Sequence, residues 1–368
     1  MLASEPTEKF RLYCSIMKEE DEKELVGVKE IARRANVSIA TVDRAIHNRI
    51  GVSSKTKAKI YSIIEELNYQ PNILAQRLAS KKIFRFAALI PSVSVETDYW
   101  QAPLNGIIQA EAEIKPYGIT VEKYFFDLDD KKSFLKQAEK VIKSDVDGIL
   151  LAPIFIEESR KFVMECKDKP CVFINSDIPN QNSLCYIGPE LYSSGYLGAN
   201  LVDFLVDADD VILMVNISKE IDDHQYFLKK EEGFRAYFAN NSKTNKILKV
   251  DIRLTDYPSI KNILSDVFKE HPVKAIFVTT SRVSAIAHYL EESGIEDVAL
   301  VGFDFLKENV EYLERGKVDF LICQKPQEQG YRGMMALYNH MMQNAPVDPV
   351  YFMPIDIITK ENYKFYRN

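Results

Sequence analysis

The run Ile-Ala-Arg-Arg-Ala-Asn-Val-Ser-Ile-Ala-Thr-Val-Asp-Arg, from Ile31 to Arg44, constrains the fold more than any other stretch, because it spells two short helices joined by a tight turn. Ile31, Ala32 and Ala35 share one face of the first helix. Asn36 tolerates the left-handed conformation that a turn needs, and Ser38 is a capping residue for the second helix. Val42 and Ile46 then anchor that second helix, leaving Ile39, Ala40, Asp43 and Arg44 outward. Residues near the start of such a helix reach base edges in a DNA major groove. The same spacing on its own also suits any small helical core.

Ser53 to Tyr69 continues as a third amphipathic helix, followed by Tyr69-Gln70-Pro71-Asn72 and Ile73 to Ser80. Together these strings resemble the lactose-repressor (LacI/GalR) family. The resemblance rests on Val37 to Arg44 (Val-Ser-x-x-Thr-Val-x-Arg), on Val52 to Thr56 (Val-Ser-x-x-Thr) and on Leu67 to Asn72 (Leu-Asn-Tyr-x-Pro-Asn). It implies a DNA-binding set of Ser38, Ile39, Ala40, Thr41, Asp43, Arg44, His47, Ser53, Asn72, Ala75 and Leu78. Arg44 offers paired donors to guanine N7 and O6, while Ile39 and Ala40 suit thymine methyl groups. Asp43 stands where the family usually has Ser. It either accepts from a cytosine amino group or pairs within its helix with His47, and the second is favoured because a carboxylate near phosphates costs energy. Residues 72–82 form a hinge segment too short to be a stable helix alone, expected to fold on DNA with Leu78 wedged in the minor groove, or else to pack as a plain linker.

Charge separates this head from the rest. Residues 27–82 hold eleven Lys and Arg against four Asp and Glu, so this piece is +7 while the remainder is −14 within a net −7. Phosphates attract the one and repel the other. Five scattered cysteines show neither a CxxC pair nor a neighbouring histidine cluster, which indicates no zinc site, no disulfide framework and no cofactor. No apolar run approaches a bilayer span and no signal-peptide pattern opens the chain, so a cytoplasmic protein without a membrane partner is expected. Residues 1–26 are expected to be a disordered or weakly helical extension, with Met17 a second candidate start beside Met1.

Beyond Lys82 apolar runs alternate with amphipathic helices. Strands are expected at Arg85 to Pro91, Thr120 to Phe126, Gly148 to Pro153, Pro170 to Asn175, Val211 to Asn216, Ile247 to Arg253, Ala275 to Thr280, Ala299 to Asp304 and Phe320 to Gln324. Helices are expected at Leu104 to Lys115, Lys131 to Lys143, Ser194 to Val206 and Val283 to Ser293. This pattern is an α/β class with parallel sheets, which bind ligands at the C-terminal ends of their strands. With 368 residues the chain suits a head (27–71), a hinge (72–82) and a two-lobed core (83–368). Lobe 1 is placed at about 83–188 and 325–348, and lobe 2 at about 189–324 and 349–368.

The core resembles that of the same repressors and of ribose-type (type I) periplasmic binding proteins. The resemblance rests on Gly233-Phe234 after Lys229-Lys230, on Val301-Gly302-Phe303-Asp304 and on Ile322-Cys323-Gln324-Lys325-Pro326. It implies effector contacts at Asp304 and Gln324. Lys230 stands where an arginine is usual, exchanging a planar fork for a point charge. At Thr279-Thr280-Ser281-Arg282 an Asn-Asp pair is usual, so Thr280 and Arg282 become candidates, with a surface ion pair the other reading of Arg282. Asp98 and Trp100 follow the first strand; Trp100 is either a platform for a sugar ring or a packing residue. Asn175 and Asp177 end another strand, as polar contacts or as a cap.

No HExxH, Gly-x-Ser-x-Gly or phosphate-loop motif is present, so chemistry is not expected. The expectation is a homodimeric regulator, a repressor more than an activator or a corepressor-dependent factor. It would read a pseudo-palindromic double-stranded DNA operator under control of a sugar-like effector. A solute-binding receptor without a DNA role and an enzyme of sugar metabolism are the competing classes. No leucine heptad tail is present to support a tetramer.

Overall fold

The computed structural model describes residues 27–46, 49–67, 69, 83–94, 97–181, 183–219, 221 and 225–368. The expected extension at 1–26, the hinge at 72–82, and the candidates His47, Asn72, Ala75 and Leu78 lie outside these residues. The chain divides into two compact units, before and after the Ile73/Leu74 boundary.

The first unit is three helices, α1 (Val28–Ala35), α2 (Ile39–Ile46) and α3 (Ser54–Glu66). Ile31, Ala32, Ala35, Val42, Ala45, Ile60 and Ile63 are buried together, as the spacing of the first two helices requires. Asn36 is left-handed at φ 58° and closes α1 by donating to the carbonyls of Ala32 and Arg33. Ser38 Oγ accepts from the Thr41 amide at 3.1 Å, and Ser53 Oγ caps α3 from the Thr56 amide at 3.2 Å. Each cap satisfies a backbone donor that the helix cannot, and is worth about 1 kcal/mol.

The second unit is two lobes. The strands and helices run β1 (Phe84–Pro91), α4 (Gln101–Ile114), β2 (Ile119–Phe126), α5 (Lys131–Lys143), β3 (Gly148–Leu151), α6 (Ile156–Glu165), β4 (Cys171–Ile174) and β5 (Cys185–Gly188). The chain continues through α7 (Leu191–Asp203), β6 (Val211–Ile217), α8 (Gln225–Asn240), β7 (Lys246–Ile252), α9 (Tyr257–Glu270), β8 (Val273–Val278), α10 (Val283–Glu292), β9 (Ala299–Phe303), α11 (Lys307–Glu314) and β10 (Phe320–Cys323). It ends in α12 (Pro326–Tyr338), β11 (Val350–Phe352) and β12 (Asp356–Ile358). Lobe 1 is a parallel sheet in the order β11-β5-β4-β3-β1-β2, and lobe 2 a sheet in the order β12-β10-β9-β8-β6-β7, parallel except at β12. The central strands are buried on both faces, hence their continuous apolar runs. Aromatic side chains fill the cores: Phe126, Phe134 and Phe155 in lobe 1, and Phe234 stacked on Phe277 at 4.5 Å in lobe 2. Each fully buried Phe contributes about 1.5–3 kcal/mol.

Helices pair closely in each lobe because glycines let backbones meet. A Cβ on Gly106 of α4 would lie 1.9 Å from the Gln327 carbonyl oxygen of α12. One on Gly233 of α8 would lie 2.0 Å from the Tyr192 carbonyl oxygen of α7. The Gly233-Phe234 string is thus a packing requirement, with Phe234 in the core beneath it.

The chain crosses between the lobes three times, at 189–190, 324–325 and 353–355. The third crossing corrects the expected boundary at 349: β11 pairs parallel with β5, Val350 beside Tyr186 and Phe352 beside Gly188, so 350–352 belong to lobe 1. Three exposed residues are too few for periodicity to reveal. β12, at three residues, was missed for the same reason of length, and β5 was missed although β3, β4 and β10, also four residues long, were read from their apolar runs.

Candidate functional site

The DNA-facing candidates gather on α2 of the first unit. Val42 and Ala45 are buried behind it, while Ile39 (50% exposed), Ala40 and Arg44 face outward. Thr41 Oγ1 lies 2.9 Å from Ser38 Oγ, so its hydroxyl belongs to the cap. Asp43 Oδ2 lies 3.2 Å from Arg49 Nη1, beyond the end of α2, a contact that the intrahelical expectation did not foresee. Arg33 and Arg34 both hold the Glu30 carboxyl, pulling it down to about 2, and Arg34 also bonds Glu66 at 2.8 Å. Arg34 thereby ties α1 to α3.

Between the lobes lies a cleft of about 550 Å³. Six effector candidates line it: Trp100, Asn175, Asp177, Thr280, Arg282 and Asp304. Trp100 stands at the start of α4, and the other five stand just beyond the C-terminal ends of strands, where sheets of this type place ligands. Asn175 and Asp304 follow β4 and β9 in left-handed conformations, φ 68° and 75°, which turn their side chains off the strand line. Non-glycine residues held this way concentrate at binding sites.

Asp304 is buried, and burial pushes its carboxyl up to about 6 while the nearby Lys230 pulls the other way. Buried hydroxyls of Tyr99 and Tyr226 feel its charge. Asn309 fixes this region: its amide nitrogen lies 2.9 Å from the Ser281 carbonyl oxygen and 3.1 Å from those of Phe303 and Asp304. Its amide oxygen accepts from the Ser284 amide at 2.9 Å. On the other wall the Tyr99 hydroxyl donates to Asn175 Oδ1 at 2.9 Å, and the Tyr186 hydroxyl reaches the Asn175 and Pro189 carbonyls at 3.3 and 2.8 Å.

Three candidates are not part of the lining. Lys230 is wholly buried; its amine donates to the Thr279 carbonyl at 2.9 Å and to the Tyr226 hydroxyl, and lies 3.2 Å from the centre of the Phe303 ring. Burial drives that amine well below the ordinary lysine value. A residue so placed supports Asp304 from behind. Gln324 turns its amide to Ser194 Oγ at 2.8 Å, and Gln329 Nε2 donates to the Gln324 carbonyl at 2.8 Å while Gln329 Oε1 accepts from the Asn175 amide at 3.0 Å. Gln324 therefore knits two interlobe crossings. Asp98 is exposed with its carboxyl only partly screened from water; that partial desolvation, and then Glu308 of the opposite lobe, push it up. Trp100 is only 2% exposed, edge-on to Tyr99 at 5.3 Å, so it forms wall and offers no open face to a ring.

Among the described residues, contacts that the sequence did not signal span the cleft. Thr97 Oγ1 lies 3.2 Å from Ser281 Oγ, and Lys219 Nζ lies 3.1 Å from Asp129 Oδ2. Both join lobe 1 to lobe 2. Among the described residues no group of His, Cys, Asp and Glu could hold a metal, and no helix is long and apolar enough to cross a membrane.

Known proteins match both units. A family model described as bacterial regulatory proteins, lacI family, matches residues 27–72, and one described as a periplasmic binding protein domain matches residues 87–345. Catabolite control protein A of Priestia megaterium is 25% identical over 288 residues, 76% of this chain and 82% of that one. The HTH-type transcriptional repressor ExuR of Bacillus subtilis (strain 168) is 32% identical over 160 residues, 43% and 45% of the two chains. A solved chain described as a LacI transcriptional regulator from Bacteroides fragilis superposes with a TM-score of 0.72 at 29% identity, covering 78% of this chain and all of that one. A Burkholderia graminis solute-binding protein solved with D-arabinose shares the fold, with a TM-score of 0.70 at 16% identity over 78% of this chain and 99% of its own.

Proposed function

Because the chain belongs to the lacI family of bacterial regulatory proteins, with a periplasmic-binding-protein domain as its core, we propose that it is a transcriptional repressor controlled by a sugar-like effector. The observation that carries the DNA half is α2, apolar and buried behind, with Ile39, Ala40 and Arg44 outward on a head that together with its hinge carries +7. Two copies acting as a homodimer would set two such helices in successive major grooves of a pseudo-palindromic operator. Its place of action would be the cytoplasm. The cleft carries the other half: a buried carboxylate, a fixed amide and hydroxyls suit a polyhydroxylated ligand.

Regulation follows from differential affinity: a ligand that prefers one lobe arrangement shifts the population toward it. Residues 72–82 join the lobes to the head and would transmit that shift. The names of its relatives, a repressor and a catabolite regulator, support the class of function; the binding of D-arabinose by a protein of the same fold supports the class of ligand. The test is fluorescence anisotropy of the protein on a bound operator during titration with pentoses, hexoses, sugar acids, sugar phosphates and polyols. At least one should change the operator Kd by about fivefold or more, the usual range of allosteric coupling. Tight ligand binding with no change in Kd would leave the core a receptor uncoupled from DNA.

A further inference from the structure

The effector cleft extends past the Asp304 region to the edge of the lobe 1 sheet. Its lining draws on the ends of β2, β1, β3, β4 and β5 and on β11 itself, which is every strand of that sheet. Six strands at about 4.8 Å spacing cover about 24 Å, whereas one sugar ring covers little more than one spacing. Lobe 2 lines the cleft from the ends of β7, β6, β8 and β9, from α8 and from the start of α7, and no residue of β10 or β12 is in the lining.

At that edge the chemistry changes. Successive residues of a strand point to opposite faces. Tyr351 of β11 lies under the Arg332 guanidinium of α12, 4.5 Å from ring centre to Cζ, so on that face the ring has a partner although it is 36% exposed. Val350 and Phe352 take the other face and line the cleft, yet remain 46% and 56% exposed. Large apolar side chains on an edge strand are a liability unless something occupies them. Tyr186 links the two regions: its hydroxyl holds the Asn175 carbonyl, and its ring meets Phe352 edge-on at 6.4 Å.

We infer that Phe352 and Val350 form a second, apolar subsite, and that the effector is a glycoside carrying a second ring there, a disaccharide or an aryl glycoside in place of a free monosaccharide. This rests on reading the cleft as a sugar-effector site. The polar region would hold the first ring by its hydroxyls, and Phe352 would meet the apolar face of the second.

The test uses the full chain, with calorimetry and thermal shift against free pentoses and hexoses, each paired with its phenyl glycosides and with disaccharides containing it. For at least one sugar a two-ring derivative should bind about tenfold tighter than the free sugar. Phe352→Ala should abolish that gain, weakening the two-ring derivative about tenfold more than the free sugar, and Phe352→Tyr should retain it. Which two-ring partner gains identifies the second ring as sugar or aryl. A free sugar binding as tightly as all its derivatives, or Phe352→Ala weakening both alike, overturns the subsite and leaves the sugar-effector reading standing. Silence from every pair sinks that reading, and the subsite with it.

Discussion

Arg44 and Asp304 are the residues on which the two halves of the account turn. Arg44 is exposed at the end of α2, and a planar fork of donors there can pair with guanine. Arg44→Ala should cost about 1–3 kcal/mol on the operator and relax one base position in each half-site. Equal weakening on every sequence would reduce Arg44 to a phosphate contact. Asp304 has a carboxyl raised to about 6 by burial, so its stabilising contribution is complete below the ordinary carboxylate range and declines as pH rises through 6. Effector binding has the opposite sign, because the ionised carboxylate accepts hydrogen bonds from hydroxyls with both oxygens. Affinity should therefore fall as pH drops from 7 to 5, with a midpoint near 6, and Asp304→Asn should bind weakly with no such midpoint. Calorimetry across that range checks both.

At the scale of elements, the loops after β8 and β9 depend on α11. Asn309 is fully buried there and bonds three carbonyls and one amide, so Asn309→Leu should destabilise the core by about 1–3 kcal/mol, read by urea unfolding. It should weaken effector binding further by releasing Thr280 and Asp304, and unchanged affinity would show that the loops hold themselves. This region also marks how far the sequence was legible. Asn36, Ser38 and Ser53 announce the head because capping and turning are local, and long strands such as β1 and β6 announce themselves by apolar runs. Asp304 and Asn175 were read as candidates because they follow strand ends, and both line the cleft. Lys230 and Gln324 look like ligand contacts until the structure turns them into Phe303 and Ser194, since side-chain direction depends on partners distant in sequence. Asn309 sits inside an ordinary helical stretch, and β11 is three residues long. Neither leaves a periodic signal.

For the whole molecule, a basic head and an acidic body predict binding that depends steeply on salt, with the slope set by the head's phosphate contacts. The proposed homodimer should sediment at twice the chain mass of 42.2 kDa; a monomer that still binds one operator tightly would remove the two-fold geometry. The central claim is sequence-specific reading of DNA by α2. The most direct test is selection of bound duplexes from a random library by the full chain, beside Arg44→Ala. The account predicts enrichment of an inverted repeat whose half-sites are centred about 10 bp, or one helical turn, apart, with one position per half-site relaxed in the variant. A library that emerges unenriched, bound only as salt dictates, would contradict it.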